Sequence, residues 1–465
     1  MRTPFLALLP LLLAACAGAP TPLPQADAGL PAAFPLAAEV EPEWRGVFAD
    51  PALQRLTAAA REHNRDLRLA ALNVEIARAQ YGIERAARLP AVGLEAGAQR
   101  ERALAGDGNS RTTRSQQASL GPGLSAFELD FFGRVKALSD AALARYLASE
   151  HGRRAAELAL DGAVADAWFA QRMALAQRDL AERTHEDWRQ TLALLQLQRE
   201  AGQSSALDLV QAEGELASAE AELQARRRTL EQAGNALRLL VGATLPDELP
   251  PPLAPDAPPV ALQAPAGLPS QRLLRRPDLQ QAEQLLAASQ AEVGAARAAF
   301  FPQITLTAAL GVASPSLDAL FGDGRRVWRL APQASLPLLD GGRRRQELRL
   351  AELRRSEALA SYERGIQTAF REVADALAAA ATLGPQIEAQ ARAVASAARR
   401  VELTELRYRA GLEGRLELLD ARRQQHAAQL ALLELRRAEL GNAVALFLAL
   451  GGEAAAGRRG EGGGG

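Results

Sequence analysis

The chain predicts a mainly helical protein that carries a small membrane β-sheet, and three observations predict it. Only 4% of its 465 residues are aromatic while 48% are hydrophobic, much of that Ala and Leu, which suits long helices better than β-sandwiches. The sequence is written twice, with matched Pro, Gly and Asp punctuation at a near-constant offset. Each copy also holds one stretch in which apolar and small or polar positions alternate, the first arm of a hairpin of roughly ten-residue strands, a length that crosses an outer membrane when tilted. Lys+Arg 54 against Asp+Glu 55 gives a net charge of -1, so no basic excess points to nucleic acid.

At the N-terminus, Arg2 and an apolar run from Phe5 to Ala15 have the charged start and short core of a secretory signal over residues 1–15. The run ends in Leu13-Ala14-Ala15-Cys16, similar to the bacterial lipobox, in which the cysteine carries a diacylglycerol thioether and an N-acyl chain. Cys16 is the only cysteine, so a disulfide within the chain and a cysteine-based zinc site are excluded. Ala17 in place of Asp lacks an inner-membrane retention signal, and residues 16–50 read as a Pro/Ala/Gly-rich tether.

The first repeat spans residues 51–242 and the second 270–451, with a Pro-rich linker over 243–269 and a flexible Gly-rich tail over 452–465. Asp66 recurs as Asp278 and Pro90 as Pro302, both 212 positions on. Gly133-Arg134 recurs as Gly342-Arg343, Gly202 as Gly411, and Gly242 as Gly451, all 209 on. Each copy opens with a helix (51–87 and 270–299), then alternates through Val92, Leu94, Ala96 and Ala98, or through Ile304, Leu306, Ala308, Leu310 and Val312. A Gly-rich tip follows at Gly106 or Gly322, then a second strand over 114–129 or 326–339. Phe127, Phe131, Phe132, Phe300, Phe301 and Trp328 lie near strand ends, where an interfacial girdle needs them.

Asp130 and Asp340 are placed to cap the long helices that follow, Arg134 to about Glu200 and Arg343 to about Arg409, each roughly 100 Å at ~1.5 Å per residue. Pro385 is expected to kink the second. Gly202 and Gly411 end these helices, and a returning helix follows each. In the first return helix Leu209, Leu216, Leu223, Leu230 and Leu237 recur every seventh residue beside Ala212, Ala219 and Ala233, a coiled-coil seam with close approach.

Four strands cannot close a membrane barrel, and open edges cannot face lipid, so the hairpins must pool between protomers. Two copies would give eight strands with a filled interior, and three would give twelve with room for a lumen. The paired long helices would continue that barrel as a tube.

Leu274-Arg-Arg-Pro-Asp-Leu279, Ala295-Ala-Arg-Ala-Ala-Phe-Phe-Pro302, Glu128-Leu-Asp-Phe-Phe-Gly-Arg134 and Leu339-Asp-Gly-Gly-Arg343 resemble the TolC-like outer membrane efflux family, in the NodT-type lipoprotein branch serving resistance-nodulation-division pumps. The resemblance covers essentially the whole mature chain. It implies a homotrimer with a twelve-stranded outer-membrane barrel and a periplasmic α-barrel in a Gram-negative cell. It further implies a periplasmic adaptor and an inner-membrane transporter as partners, and export of small molecules such as drugs. Onto the second tip it maps a periplasmic gate at Leu416, Glu417 and Asp420, with Asp208 as a possible helper in the first repeat, and it makes the Gly202 and Gly411 turns the places for adaptor docking. Glu417 and Asp420 share a helix face, so a trimer would gather six carboxylates whose repulsion neighbours must offset; Glu417 reads equally well as a solvated acid.

His63, His151, His185 and His426 have no metal-ligand spacing, and no nucleotide-binding or nucleophile motif occurs, so neither an enzyme nor a metal site is expected. A protein-secretion duct of the same architecture, or a periplasmic coiled-coil scaffold, are the competing readings.

Overall fold

A computed structural model describes residues 50–104, 112–244, 251, 253–254, 270–322 and 325–452. The expected signal segment, Cys16, the tether before Asp50, the Gly106 tip, most of the linker and the tail after Gly452 lie outside them.

The expected first helix is two. α1 (Pro51–His63) and α2 (Arg65–Ala86) meet at Asn64, whose backbone is extended (φ -63, ψ 131). The Asn64 side chain accepts from Leu67 N–H at 2.9 Å, capping α2, and donates to the Leu240 carbonyl at 2.8 Å. Asp50 caps α1 by accepting from Ala52 N–H, and Pro51 fills the first position, where no N–H is needed. In the second copy, which follows the long helices α3 (Arg134–Glu200) and α4 (Ala206–Val241), a 3-10 turn (Ser270–Arg275) replaces α1 and α5 (Pro277–Ala298) replaces α2.

The strands are β1 (Val92–Leu104), β2 (Thr112–Glu128), β3 (Gln303–Ser314) and β4 (Arg325–Ser335), one antiparallel sheet in the order β1-β2-β3-β4. The register sets Leu94 opposite Pro122, Leu120 opposite Val312 and Leu310 opposite Trp328, so the apolar residues share one face. Leu94, Leu310 and Trp328 are 76%, 62% and 77% exposed, so that face is open at these positions, while Ala118 and Ser314 on it are buried. The opposite face carries Glu95, Gln99, Ser119, Gly121, Thr305, Thr307 and Arg329. A bulge between Leu124 and Phe127 places Ala126 at φ 48, and Ala126 N–H is taken up by Thr307 Oγ1.

α3 (Arg134–Glu200) and α6 (Arg343–Arg409) have 67 residues each, and α4 (Ala206–Val241) and α7 (Arg415–Ala449) return from them. Asp130 accepts from the N–H groups of Val135 and Lys136, and Asp340 from those of Gly342 and Arg344, so both acids cap as the sequence requires. Phe132 stacks on Phe301 at 4.9 Å and Arg344 lies over Phe300 at 5.7 Å, where strands pass into helices. α6 continues through Pro385 as a single helix.

The described chain divides into two compact units, each drawing on both repeats. Of the described residues, one gathers Asn73–Glu150 and Gln281–Glu363, which include the sheet; the other draws on those within 50–72, 151–280 and 364–452. In the second, Leu53 and Leu56 of α1 pack with Val164 and Phe169 of α3, Leu237 of α4 and Val444 of α7. On α4 the seam residues Leu223, Leu230, Leu237, Ala212 and Ala219 are buried, and Gly234 joins them. No helix among the described residues is long and apolar enough to cross a membrane.

Candidate functional site

The two helix tips are built alike. Gly202 (φ 73) takes the left-handed conformation that a C-terminal turn needs, with Gly202 N–H bonded to Arg199 carbonyl and Gln203 N–H to Gln198 carbonyl. Gly411 (φ 71) repeats this with Tyr408 and Arg407. A Cβ at either glycine would meet nothing within 4 Å, so the space beside each turn glycine is open.

Beyond the turns the tips differ. α4 starts on a reciprocal cap: Ser205 Oγ accepts from Asp208 N–H at 3.1 Å, and the Asp208 carboxylate accepts from Ser205 N–H at 3.1 Å and from its hydroxyl at 2.6 Å. The Ser205 hydroxyl first, and the nearby Arg415 charge among lesser contributions, hold the Asp208 carboxyl below its ordinary pKa. The carboxylate's stabilisation of this cap is therefore complete above the ordinary Asp pKa and is lost as pH falls through the lower folded value. α7 starts on Gly414, which has no side-chain cap. Of the two returns, the one bearing Leu416, Glu417 and Asp420 is the less firmly pinned.

Glu417 and Asp420 come together around one cation that the sequence does not single out. Arg400 of α6 donates to Glu417 at 3.3 Å and to Asp420 at 3.1 Å, and it also donates to Gln424. Asp420 further accepts from Gln424 Nε2 at 2.9 Å and lies 3.8 Å from Arg423. The carboxylate repulsion is thus offset within each chain. These groups are 38–59% exposed, and pairs so wet contribute about 0–1 kcal/mol each, a strength that a docking event can overcome. Leu416 is 67% exposed, as are Leu412 at 71% and Leu207 at 66%, so both tips leave apolar side chains uncovered.

Asp208 is engaged in its cap, apart from the Arg400 cluster. His426 shares a 3.2 Å contact with Thr184 and lies 3.6 Å from Glu222. Among the described residues no group of three or more His, Cys, Asp or Glu is placed to hold a metal ion.

A second polar centre is built on the Leu274–Leu279 motif, whose structural role the sequence does not reveal. Arg276, at the start of α5, donates to Glu372 at 2.8 Å, to Asp278 at 3.1 and 2.8 Å, and to the Ala449 carbonyl at 3.1 Å. Asn64 and Arg276 are repeat equivalents, 212 positions apart, and their acceptors Leu240 and Ala449 are equivalents 209 apart. Each copy therefore ties the start of its second helical segment to the last turn of its return helix.

A family model described as outer membrane efflux protein matches residues 56–243 and 268–452. The chain is 43% identical over 418 residues to the solvent efflux pump outer membrane protein SrpC of Pseudomonas putida, covering 88% of this chain and 87% of that one. It is 40% identical over 410 residues to the cation efflux system protein CusC of Escherichia coli O6:H1, covering 88% of both. The crystal structure of the open state of the Neisseria gonorrhoeae MtrE outer membrane channel superposes with a TM-score of 0.83 at 36% identity, over 94% of this chain and 98% of that one. With the duplicated hairpins and the paired 67-residue helices in place, the chain belongs to the outer membrane efflux protein family.

Proposed function

We propose that this protein is the exit duct of a tripartite efflux system, in which three copies pool their strands into a twelve-stranded barrel and their helices into a periplasmic tube. The observation that carries the reading is a four-stranded sheet, with one face apolar over most of its length and Arg100 and Arg326 towards one end of it, the other face mostly polar or small, and β1 and β4 left as open edges. Open edges cannot face lipid, and closure by further copies of the same sheet satisfies them. An inner-membrane resistance-nodulation-division transporter supplies small-molecule cargo through a periplasmic adaptor that docks on the Gly202 and Gly411 turns. Cys16, with its diacylglycerol and N-acyl chain, anchors the N-terminus in outer-membrane lipid. The duct itself performs no chemistry.

A strain lacking this protein should become more sensitive to several unrelated small molecules while its secreted proteins stay unchanged. Loss of one secreted protein without any change in sensitivity would replace efflux by protein secretion.

Leu416, Glu417 and Asp420 form the periplasmic gate, held shut in each chain by Arg400. The uncapped start of α7 and the wet pairs at Arg400 support a latch that opens at small cost. Arg400→Ala and Asp420→Ala should each raise the resting conductance of the reconstituted protein in planar bilayers several-fold. Resting conductance equal to wild type in both variants would remove the gate from this cluster.

A further inference from the structure

The pore-side face of the sheet segregates its charges in a way that no single chain can use. The register places Glu95 and Glu101 of β1 on that face, and Arg325 and Arg329 of β4. Between them the same face of β2 and β3 carries Ser115, Gln117, Ser119, Thr307, Ala309 and Gly311, none of them charged, and the acid at the far end of β2, Glu128 opposite Thr305, is already taken by Arg134. Away from the Glu128 end, acid thus sits on one open edge and base on the other, with two strands that are neutral on this face between them. Glu101, Arg325 and Arg329 are exposed, and among the described residues none of the three has an ion-pair partner. Opposite charges confined to the two free edges meet only when β4 of one copy lies against β1 of the next.

We infer that the seam between copies is locked in register by Glu101 of one chain seated between Arg325 and Arg329 of the next. The inference rests on the trimeric duct proposed above. Strand order and direction make the β4–β1 contact antiparallel. Two requirements then fix the register. Every residue of β4 (Arg325–Ser335) must find a partner within the longer β1 (Val92–Leu104), because an unpaired backbone group in lipid is costly. Polar faces must also coincide, because a slip of one residue turns every side chain over.

One alignment satisfies both. It sets Val327 opposite Glu101, Arg329 opposite Gln99 and Gln333 opposite Glu95. Arg325 and Arg329 then lie diagonal to Glu101, about 7–8 Å away between backbones and within reach of an arginine side chain. Read straight across the ladders of one chain, Val92 is level with Leu124, Ala308 and Leu330. The seam therefore advances by roughly six residues per chain, a stagger of the size that closure of twelve strands at a tilt of about 45° requires. On the lipid side the same alignment sets Trp328 beside Arg100, a favourable pairing of cation and indole.

The test uses the full-length protein, whose only native cysteine is Cys16. Oxidation of a Glu101→Cys/Val327→Cys double variant should give covalent dimers and trimers on a non-reducing gel, since residues directly opposite in a ladder fall within disulfide reach. Glu101→Cys/Gln333→Cys, six residues out of register, should give none. Glu101→Arg should lower the temperature at which the detergent-resistant trimer dissociates, and adding Arg325→Glu and Arg329→Glu should restore it. A wild-type trimer whose cross-links form only in the second cysteine pair, or whose heat resistance the charge swap leaves unrestored, overturns the seam. Absence of any wild-type trimer would instead overturn the duct reading, and the seam with it.

Discussion

Gly121→Val should leave the outer membrane without assembled channel, with the detergent-resistant trimer lost and the protein recovered as monomer or degraded. Gly121 and Gly311 face each other on the pore side where β2 meets β3. A Cβ on Gly121 would land on the Leu310 carbonyl oxygen and 2.5 Å from Gly311 Cα, and one on Gly311 would lie 2.9 Å from Gly121 Cα. The obstructing atoms are backbone, so no rotamer change relieves the clash and the strands must part. This ladder joins the two hairpins of the chain, and its paired residues flank the glycines at Leu120↔Val312 and Gly123↔Ala309. Parting it exposes backbone groups to lipid at several kcal/mol each, which exceeds what the side-chain contacts of a small sheet supply. Gly93→Ala provides the comparison, because nothing lies within 4 Å of the new methyl and assembly should be normal. A Gly121→Val trimer with wild-type heat resistance would show that the two strands separate on the pore side without cost.

How much of this was legible in the sequence depends on how far along the chain each cause lies. The caps at Asp130 and Asp340 act on N–H groups two to six residues away, and the turns at Gly202 and Gly411 close on carbonyls three to five residues back, so punctuation alone revealed them. The period-two pattern exposed the sheet and its two faces for the same reason. Asn64 did not announce itself, because the break it makes between α1 and α2 is secured at Leu240, 176 residues on. Ala126 carries no signal for the positive φ that the bulge imposes. At the tip, Glu417 and Asp420 stood out as paired acids, but Arg400 is one arginine among many on α6. It could have been found by counting: Arg400 lies eleven residues before Gly411 and Asp420 nine after, so the hairpin folds them side by side.

Arg276→Ala should destabilise the helical unit by about 2–3 kcal/mol, while Arg276→Lys should recover little of the loss. Only 10% of the Arg276 side chain is exposed. Burial opposes its charge, yet Asp278 and Glu372 together raise its pKa above the ordinary value, so it is charged at every pH at which the protein folds. Removing one partner of a fully buried pair costs about 3–5 kcal/mol. Here Asp278 and Glu372 are 48% and 40% exposed and can turn to water, which lowers the figure. What water cannot replace is the bond to the Ala449 carbonyl, since Ala449 is 2% exposed and stands at the end of α7. A guanidinium reaches Asp278 with two nitrogens while a third atom serves Glu372 and Ala449; an ammonium cannot hold that fork. Asn64→Ala should cost less, about 1–2 kcal/mol, because a neutral amide holds the equivalent carbonyl at Leu240 and no ion pair goes with it. The readouts are the thermal loss of helical signal and hydrogen exchange at Leu446–Ala449, which should quicken in Arg276→Ala and stay slow in Asn64→Ala. Equal exchange at that segment in both variants would mean that Arg276 contributes through its ion pairs alone, and that the repeat-equivalent ties to the return helices are incidental to their stability.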